Sequence, residues 1–419
     1  MTTRATAPSI TEDFVRELSR QSKDRQWFAD RRFEAFRAYE ALEMPDPLEE
    51  DWRRTDISGL DLAATLSVKG EATTRRSIHG TDQPAFSDRV KGLPDGVFFG
   101  SFDEAREHDE LLQRVLGTLV KPDEWKLGAL QASLAQQGTL LYVPRGVEVE
   151  VPLSLVHNSD GFAMFPHLVI YAEPASAVTL LQDNASPDAD SQLLTSGAVE
   201  IFGMQDSRIR FIDLQRWGSS AYAFSTMRVR LERGAQLTGA LIGLGGKVAR
   251  TKLEVDLVGE GASTELLGLT FGSAHQHFDY TTLQNHIAPH TTSDLAFKAA
   301  LTDHASEVWY GTVRIQKGAS QSEASQTSRN LLLSDHAKAA PIPVLEIEAY
   351  DIQRCSHGAT AGPLDEEQRF YLESRGIPPV ETEQLLVEAF FRELVDRLPN
   401  EQLRESIGEI LFARLEASR

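Results

Sequence analysis

The residues best suited to chemistry are the only cysteine of the chain and a histidine two positions after it. Cys355 and His357 would point to the same side of a β-strand, because alternate residues of a strand share a face. A thiolate beside an imidazole can bind a soft or borderline metal ion, and a thiolate can also transfer sulfur. Two ligands do not complete a tetrahedral site, so a second chain or small ligands would have to supply the others. On residue chemistry alone, an inert, buried cysteine beside a hydrogen-bonded histidine is the favoured interpretation.

A second candidate is a group of four histidines within sixteen residues, namely His275, His277, His286 and His290. His275 and His277 would share one face of a strand, which is how a β-scaffold presents two imidazoles to one metal ion. Metal enzymes built on a double-stranded β-helix add a carboxylate shortly after such a pair, and here threonines occupy those positions. Two interpretations stay open: a β-helix metal enzyme that uses His275, His277 and His286, or structural histidines that hydrogen-bond along a strand.

The composition restricts the partners of the chain. Acidic residues outnumber basic ones by 62 to 42 among 419 residues, and the resulting net charge of −20 disfavours contact with nucleic acid and with anionic membranes. The first nine residues lack the apolar segment of a secretory signal, and no apolar run approaches the roughly 20 residues that span a bilayer. One cysteine precludes an intrachain disulfide, which suits a reducing compartment. We therefore expect a cytoplasmic protein.

The spacing of apolar residues changes along the chain, and with it the type of secondary structure that must position these residues. Residues 10–43 repeat apolar side chains at helical spacing and predict one helix, and residues 102–119 also have a helical pattern. From Gly138 onward, short runs rich in Val, Ile, Leu, Phe and Thr alternate with Gly, Pro, Asp and Asn. This pattern predicts strands and turns, without a helix, for almost two hundred residues.

A repeat runs through the strand-rich part of the chain. Six short segments that alternate polar and apolar residues each begin with a small residue, and these small residues recur at intervals of 30, 28, 27, 30 and 27 residues. These residues are Ala177, Ser207, Ala235, Ala262, Thr292 and Ala319. A β-sandwich has no reason to keep such a period, whereas each coil of a solenoid buries its apolar face only against its neighbours. The sequence predicts a β-solenoid with two strands in each coil, whose open ends suit pairing with other subunits.

The last part of the chain returns to helical spacing. Asp365 and Gln368 have the form of a capping box, and two broad apolar stripes follow, one on each side of Pro399. We expect most of these apolar residues to pack on the solenoid, with the outermost helix available to a partner. The predicted division is a mixed, helical region (1–130), a solenoid (131–362) and a helical tail (363–419).

Four strings in the second half of the chain resemble the signature of the SufB/SufD family of SUF iron–sulfur cluster assembly proteins, in its SufD form. They are NLLLS at 330–334, LEI at 345–347, CSHGAT at 355–360 and FYLESRGI at 370–377. His277 with Asp279, the string HIAP at 286–289 and the string EDWR at 50–53 also look like this family. The strong similarity covers about residues 270–390, and the weaker similarity extends over most of the chain.

The resemblance implies a mainly β protein, with a right-handed parallel β-helix core flanked by N- and C-terminal helical regions. It implies a subunit that pairs with SufB and binds the ABC-type ATPase SufC through its C-terminal helices. In this family the cluster is thought to form at the SufB–SufD interface, and the residue linked to cluster assembly matches His357, with Cys355 beside it. SufB members carry His-Glu at the matching place and a cysteine upstream, whereas this chain has His357-Gly358 and no upstream cysteine. That difference favours the SufD form.

Further expectations follow from the resemblance. The chain would be a scaffold rather than an enzyme, and an iron–sulfur cluster or iron would be present only transiently, with His357 as a metal ligand. No cofactor would stay bound to the isolated chain, which could pair with a second copy of itself when SufB is absent.

Overall fold

The computed structural model describes residues 10–67, 72–79, 90–136, 138–161 and 163–417, so the prediction about the first nine residues lies outside the described residues. The helices of this described part are α1 (Glu12–Gln21), α2 (Gln26–Ala41), α3 (Leu62–Ser67), α4 (Asp109–Val115), α5 (Lys126–Leu134), α6 (Glu366–Ser374), α7 (Pro379–Val395) and α8 (Glu401–Ala417). None of them is long and apolar enough to cross a lipid bilayer.

The strands follow one another from the first third of the chain to the start of the helical tail. They are β1 (Ala72–Ile78), β2 (Phe98–Ser101), β3 (Gly138–Val143), β4 (Leu153–Ser159), β5 (His167–Ala172), β6 (Ala177–Ala185), β7 (Leu193–Gly203), β8 (Arg208–Arg216), β9 (Ala221–Leu231), β10 (Gln236–Gly243), β11 (Val248–Leu257), β12 (Ser263–Gly272), β13 (His277–His286), β14 (Thr292–Leu301), β15 (Ser306–Ile315), β16 (Glu323–Leu332), β17 (Lys338–Ile347) and β18 (Arg354–Gly362).

These strands form a β-solenoid with helices on both sides of it in the chain, which confirms the predicted fold class. Sheet A has the order β1-β4-β6-β8-β10-β12-β14-β16-β18, and sheet B has the order β17-β15-β13-β11-β9-β7-β5-β3-β2. From β3 onward, consecutive strands alternate between the two sheets, so each coil contributes one strand to each sheet. The pairings are parallel except at β1 with β4 and at β2 with β3, which are antiparallel and lie at one end of the solenoid.

The register confirms the predicted repeat and corrects its frame. Parallel pairing aligns Ala177, Arg208, Gln236, Ser263, Thr292 and Glu323 in successive coils of 27 to 31 residues. The residue before each of these is small and buried, namely Ser176, Ser207, Ala235, Ala262, Thr291 and Ser322. Ala177 and Thr292, the predicted repeat positions, therefore each lie one residue after the small residue that the strand pairing defines. At Ala319 it is three residues early, because Ala319 is a second small, buried residue in the turn before β16.

Both faces of the sheets are buried over much of the solenoid. In sheet A, Leu266 lies in the interior cluster, whereas its neighbour Leu267 lies in the cluster on the outer face. Alternate residues of a strand point to opposite faces, so strands covered on both faces become almost continuously apolar. This explains why apolar runs rather than strict alternation marked several strands in the sequence.

The N-terminal part differs from its prediction. α1 and α2 replace a single helix, because Lys23 between them has a φ of +53°, a left-handed conformation that a continuous helix excludes. Of the second predicted helix, residues 102–119, only α4 is an α-helix, and a single 3-10 turn precedes it. Beyond α4, the buried carboxylate of Glu200 accepts hydrogen bonds from the backbone N–H groups of Gly117, Leu119 and Val120, which hold the chain outside helical geometry.

The helical tail covers the outer face of sheet A. Apolar residues of α7 and α8 form one cluster with residues of β8, β10, β12 and β14, so the two predicted stripes pack on the solenoid. Lys298 of β14 donates to the carbonyl oxygen of Phe390 at 2.6 Å and pairs with Glu393 at 2.5 Å. The Asp365 carboxylate caps α6 through the N–H groups of Glu367 and Gln368, as predicted. α6 itself buries no side chain, so the exposed helix of the tail is the first one and not the outermost.

Candidate functional site

The last strand of the solenoid carries Cys355 and His357. β18 is an edge strand of sheet A, and its partner in the described chain is β16. The register pairs Cys355 with Ala324 and His357 with Gln326, and both β16 residues are fully buried in the interior. Cys355 and His357 therefore continue the inward-facing positions of Ala324 and Gln326 at the end of the solenoid, where no further coil of the described chain covers them.

Cys355 is half-buried on the apolar side of this end. It contacts the cluster of Val313, Ile315, Ala319 and Ala324. Burial raises the pKa of the Cys355 thiol, because an apolar environment disfavours the thiolate. The shift disfavours the thiolate, which is the form that acts as a nucleophile and as a metal ligand.

His357 has a different environment from its neighbour. Its side chain is exposed, and it makes no hydrogen bond or ion pair with the described residues. On the opposite face of β18, a Cβ atom added to Gly358 would have no atom within 4 Å, so that face of the strand is open as well. The arrangement leaves the His357 nitrogens accessible to a group from another molecule.

The interior beneath His357 is polar, and residue types along the sequence gave no signal of this. Gln326 donates through Nε2 to the carbonyl oxygens of Gly311 and Val344, at 3.1 and 3.2 Å. Deeper in the solenoid lie the Gln284 amide and the Glu307 carboxyl, each with a buried oxygen that has no protein partner in the described chain. An alternation of polar and apolar residues does not reveal which of the two faces inward when both are buried.

The structure does not bring the three histidines of the alternative metal site together. His277 and His286 lie at opposite ends of β13, roughly 30 Å apart for a ten-residue strand. His286 is buried between the hydroxyls of Thr291 and Ser293, at 2.8 Å from each, and burial lowers its pKa to about 4. No group of three or more His, Cys, Asp or Glu side chains with metal-binding geometry occurs in the described part of the chain.

The other two histidines of that site have separate environments. His277 lies between the Thr55 hydroxyl, at 2.9 Å, and the Ser306 hydroxyl, at 2.8 Å, and burial lowers its pKa. His275 is exposed in the turn before β13. These contacts favour the second interpretation, structural histidines, because His277 and His286 are hydrogen-bonded to hydroxyls within the fold.

Two segments that lie far apart in the sequence, residues 50–55 and the strand residues around Asp279, form one junction between the N-terminal segment and the solenoid. The Thr55 hydroxyl donates to the Asp279 carboxylate, which also pairs with Arg250. The Arg250 guanidinium lies 4.1 Å from the centre of the Trp52 ring and donates to the Asp51 carbonyl oxygen at 2.7 Å. The junction is buried, and sequence reasoning missed Thr55 and Arg250, which have no distinctive spacing.

Comparison with known proteins gives the family. A family model described as the SufBD core domain of SUF system FeS cluster assembly matches residues 155–390, which is more than half of the chain. The chain belongs to the SufBD family. A second model, for the SufBD protein N-terminal region, matches residues 82–155. The resemblance stated from the four strings is thereby confirmed.

Curated relatives in the SufBD family match nearly the whole chain. The iron–sulfur cluster assembly protein SufD of Bacillus subtilis is 27% identical, over 98% of this chain and 99% of its own length. SufBD family proteins of Staphylococcus saprophyticus and Staphylococcus epidermidis are each 25% identical, over 96% of this chain and 92% of theirs. This chain is a SufD-like member of an iron–sulfur cluster assembly family, and its core domain contains the open end with Cys355 and His357.

Proposed function

We propose that this protein is a scaffold subunit, without turnover of its own, that supports iron–sulfur cluster assembly at an interface with SufB. The observation that carries the proposal is the open end of the solenoid. There β18 has a free edge, and the exposed His357 faces the interior of a coil that is not closed. A free strand edge offers unpaired N–H and C=O groups to a strand of another chain.

The ligand set at this end supports a shared site. His357 and Cys355 supply at most two ligands, and a tetrahedral iron or cluster site needs others, which SufB would provide. The iron or cluster is cargo that would be present only transiently, and the isolated chain would hold none permanently. Of the two residues, His357 is the stronger candidate because it is exposed, whereas burial raises the pKa of the Cys355 thiol and so disfavours the thiolate.

The helical tail supports the proposed docking of the SufC ATPase. α6 buries no side chain, and Phe370 and Tyr371 on it are 72% and 57% exposed. Exposed aromatic residues of this size are typical of a protein interface. ATP-driven movement of SufC would then reach the solenoid through α7 and α8, which pack on sheet A. We further propose a cytoplasmic location, and pairing of two copies through the same open end when SufB is absent.

The proposal predicts that His357→Ala lowers cluster formation in a reconstituted complex with SufB and SufC. We expect the yield of cluster, measured by visible absorption and iron content, to fall by about tenfold or more, a loss equivalent to one metal–ligand contact. The complex should still assemble, because His357 makes no contact that holds the fold together.

The matched control is Ser356→Ala, the adjacent residue on the opposite face of β18. It should leave the yield unchanged. Cys355→Ala should have a smaller effect than His357→Ala. An unchanged yield with His357→Ala would remove this residue from the site, and would leave a purely structural partner-binding solenoid as the better description.

A second prediction concerns the docking of the ATPase. The double variant Phe370→Asp and Tyr371→Asp should abolish co-purification with SufC while it leaves pairing with SufB intact, because it places charge in an apolar contact. Deletion of residues 380–419 is a less informative test, since it would also uncover the apolar outer face of sheet A. Glu366→Ala, an exposed change on the same helix, is the control, and SufC binding retained by the double variant would contradict the proposal.

A further inference from the structure

Three exposed histidines form a stacked row along one edge of the solenoid. The rings of His275 and His304 are 4.9 Å apart with 13° between their planes, and those of His304 and His336 are 4.7 Å apart with 6° between their planes. Each residue lies in the turn that leads from a strand of sheet A to the next strand of sheet B, two positions before β13, β15 and β17. We call these residues the histidine row.

The backbone holds the first two members of the row in equivalent positions. Ala274 and Asp303, the residues before His275 and His304, both adopt left-handed conformations, with φ of +53° and +52°. The N–H of His304 donates to the Ala274 carbonyl at 2.9 Å, and the N–H of Ala274 donates to the Asp303 carboxylate at 2.8 Å. The Ser334 hydroxyl donates to the Asp303 carbonyl at 2.6 Å and connects the third turn. The spacing of the row is therefore set by the coils, and not by loop flexibility.

The chemistry of the row suits a cation that binds imidazole. Each neutral imidazole has one nitrogen with a free lone pair. A metal ion bonded to two imidazoles at about 2.1 Å needs their nitrogens roughly 3 Å apart, with both lone pairs directed at the ion. The stacked rings are almost parallel, so both rings of a pair would turn out of the stack to bind, which their exposure to solvent allows. The outer two rings are separated by the whole His304 ring, so one ion would take one adjacent pair at a time.

We propose that the histidine row is a surface site for one divalent transition-metal ion of the borderline class, such as Ni²⁺, Cu²⁺, Zn²⁺ or Co²⁺. His304 belongs to both adjacent pairs, so the ion has two overlapping positions, His275 with His304 and His304 with His336. Water completes its coordination. Such a two-imidazole site agrees with the absence of a preformed group of three ligands in the described residues. It does not depend on the site at His357, which lies on β18 in the strand and not in these turns.

The test is titration of the untagged, full-length protein with Ni²⁺ at pH 7.5, followed by calorimetry. We expect one ion per chain. His304→Ala removes both positions and should weaken binding by about tenfold or more, whereas His275→Ala and His336→Ala each leave one position and should weaken it only about twofold. His304→Phe retains an aromatic ring in the stack but has no lone pair, and should behave as His304→Ala does.

The control is His290→Asn, a change at an exposed histidine that lies outside the row, which should leave Ni²⁺ binding unchanged. Thermal melting of each variant verifies that the fold is retained. Wild-type affinity in His304→Phe would overturn the proposal. A loss in His275→Ala and in His336→Ala as large as that in His304→Ala would also overturn it, since two overlapping positions could not give that result.

Discussion

Replacement of Asp279 by alanine is expected to lower the free energy of unfolding by about 3–5 kcal/mol, the usual effect of removing one partner of a buried ion pair. Asp279 and Arg250 are both nearly inaccessible, at 4% and 7% exposure of their side chains. Without the carboxylate, the Arg250 guanidinium would remain buried against Trp52 with only the Asp51 carbonyl to neutralise part of its charge. Thr55 would lose its acceptor as well.

Urea denaturation followed by circular dichroism measures this change. Asp279→Asn keeps an acceptor for Thr55 but removes the charge, so its loss should be smaller than that of alanine. The matched control is Glu148→Ala, which breaks an exposed pair with Arg208 and should cost less than about 1 kcal/mol. Equal stabilities for Asp279→Ala and Glu148→Ala would show that the junction does not hold the N-terminal segment on the solenoid.

Replacement of Glu307 by glutamine is expected to stabilise the protein at alkaline pH and to have little effect at acidic pH. Glu307 lies inside the solenoid at the start of β15, and one of its carboxyl oxygens has no protein partner in the described chain. Burial raises the pKa of this carboxyl from its ordinary value of 4.5 to about 7, although a hydrogen bond with Thr270 opposes the change. The charged form is therefore unfavourable in the fold.

The sign of the pH dependence follows from this raised pKa. Between about pH 4.5 and pH 7, the folded protein binds a proton at Glu307 that the unfolded chain has lost, so its stability falls as the pH rises. The loss is complete above pH 7 and corresponds to roughly 3 kcal/mol. Glutamine cannot ionise. Glu307→Gln should exceed the wild type by up to this amount at pH 8, and the difference should disappear near pH 4.

The comparison must be made between variant and wild type at each pH, because other buried groups titrate too. Burial raises the pKa of Asp213 to about 7, which gives a slope of the same sign, whereas it lowers the pKa of His286 to about 4, which gives the opposite slope. Glu148→Gln, on the surface, controls for the loss of a negative charge. A stability difference between Glu307→Gln and wild type that is independent of pH would contradict the assignment.

Buried polar side chains lie close to the interface proposed for the scaffold. The Glu307, Gln284 and Gln326 side chains lie inside the last coils, beneath the open end that carries His357. Buried polar groups with incomplete hydrogen bonding destabilise a fold, and proteins usually retain them where a function needs them. Earlier coils also enclose polar side chains, but there Asn184 and Gln215 both donate hydrogen bonds to the Asp213 carboxylate. Near the open end, Gln284, Glu307 and Gln326 each have a buried atom without a protein partner in the described chain.

Local patterns in the sequence were sufficient for the main elements. Each coil repeats the same strand and turn pattern within about thirty residues, so the solenoid could be predicted from the spacing of small residues and apolar runs. The Asp365 cap of α6 depends only on its own first turn. The common direction of Cys355 and His357 follows from the two-residue period of one strand, and the string around them was enough to indicate the family.

The tertiary structure alone decided which distant residues meet. His275, His304 and His336 are about thirty residues apart in sequence and stack only because the coils are in parallel register. The frame of the repeat at Ala319, the break at Lys23 and the exposure of α6 likewise depend on contacts between elements. The different burial of Cys355 and His357 also depends on the tertiary structure. Both residues face one direction on β18, but apolar residues of the neighbouring coil half-bury Cys355, whereas no described residue covers His357.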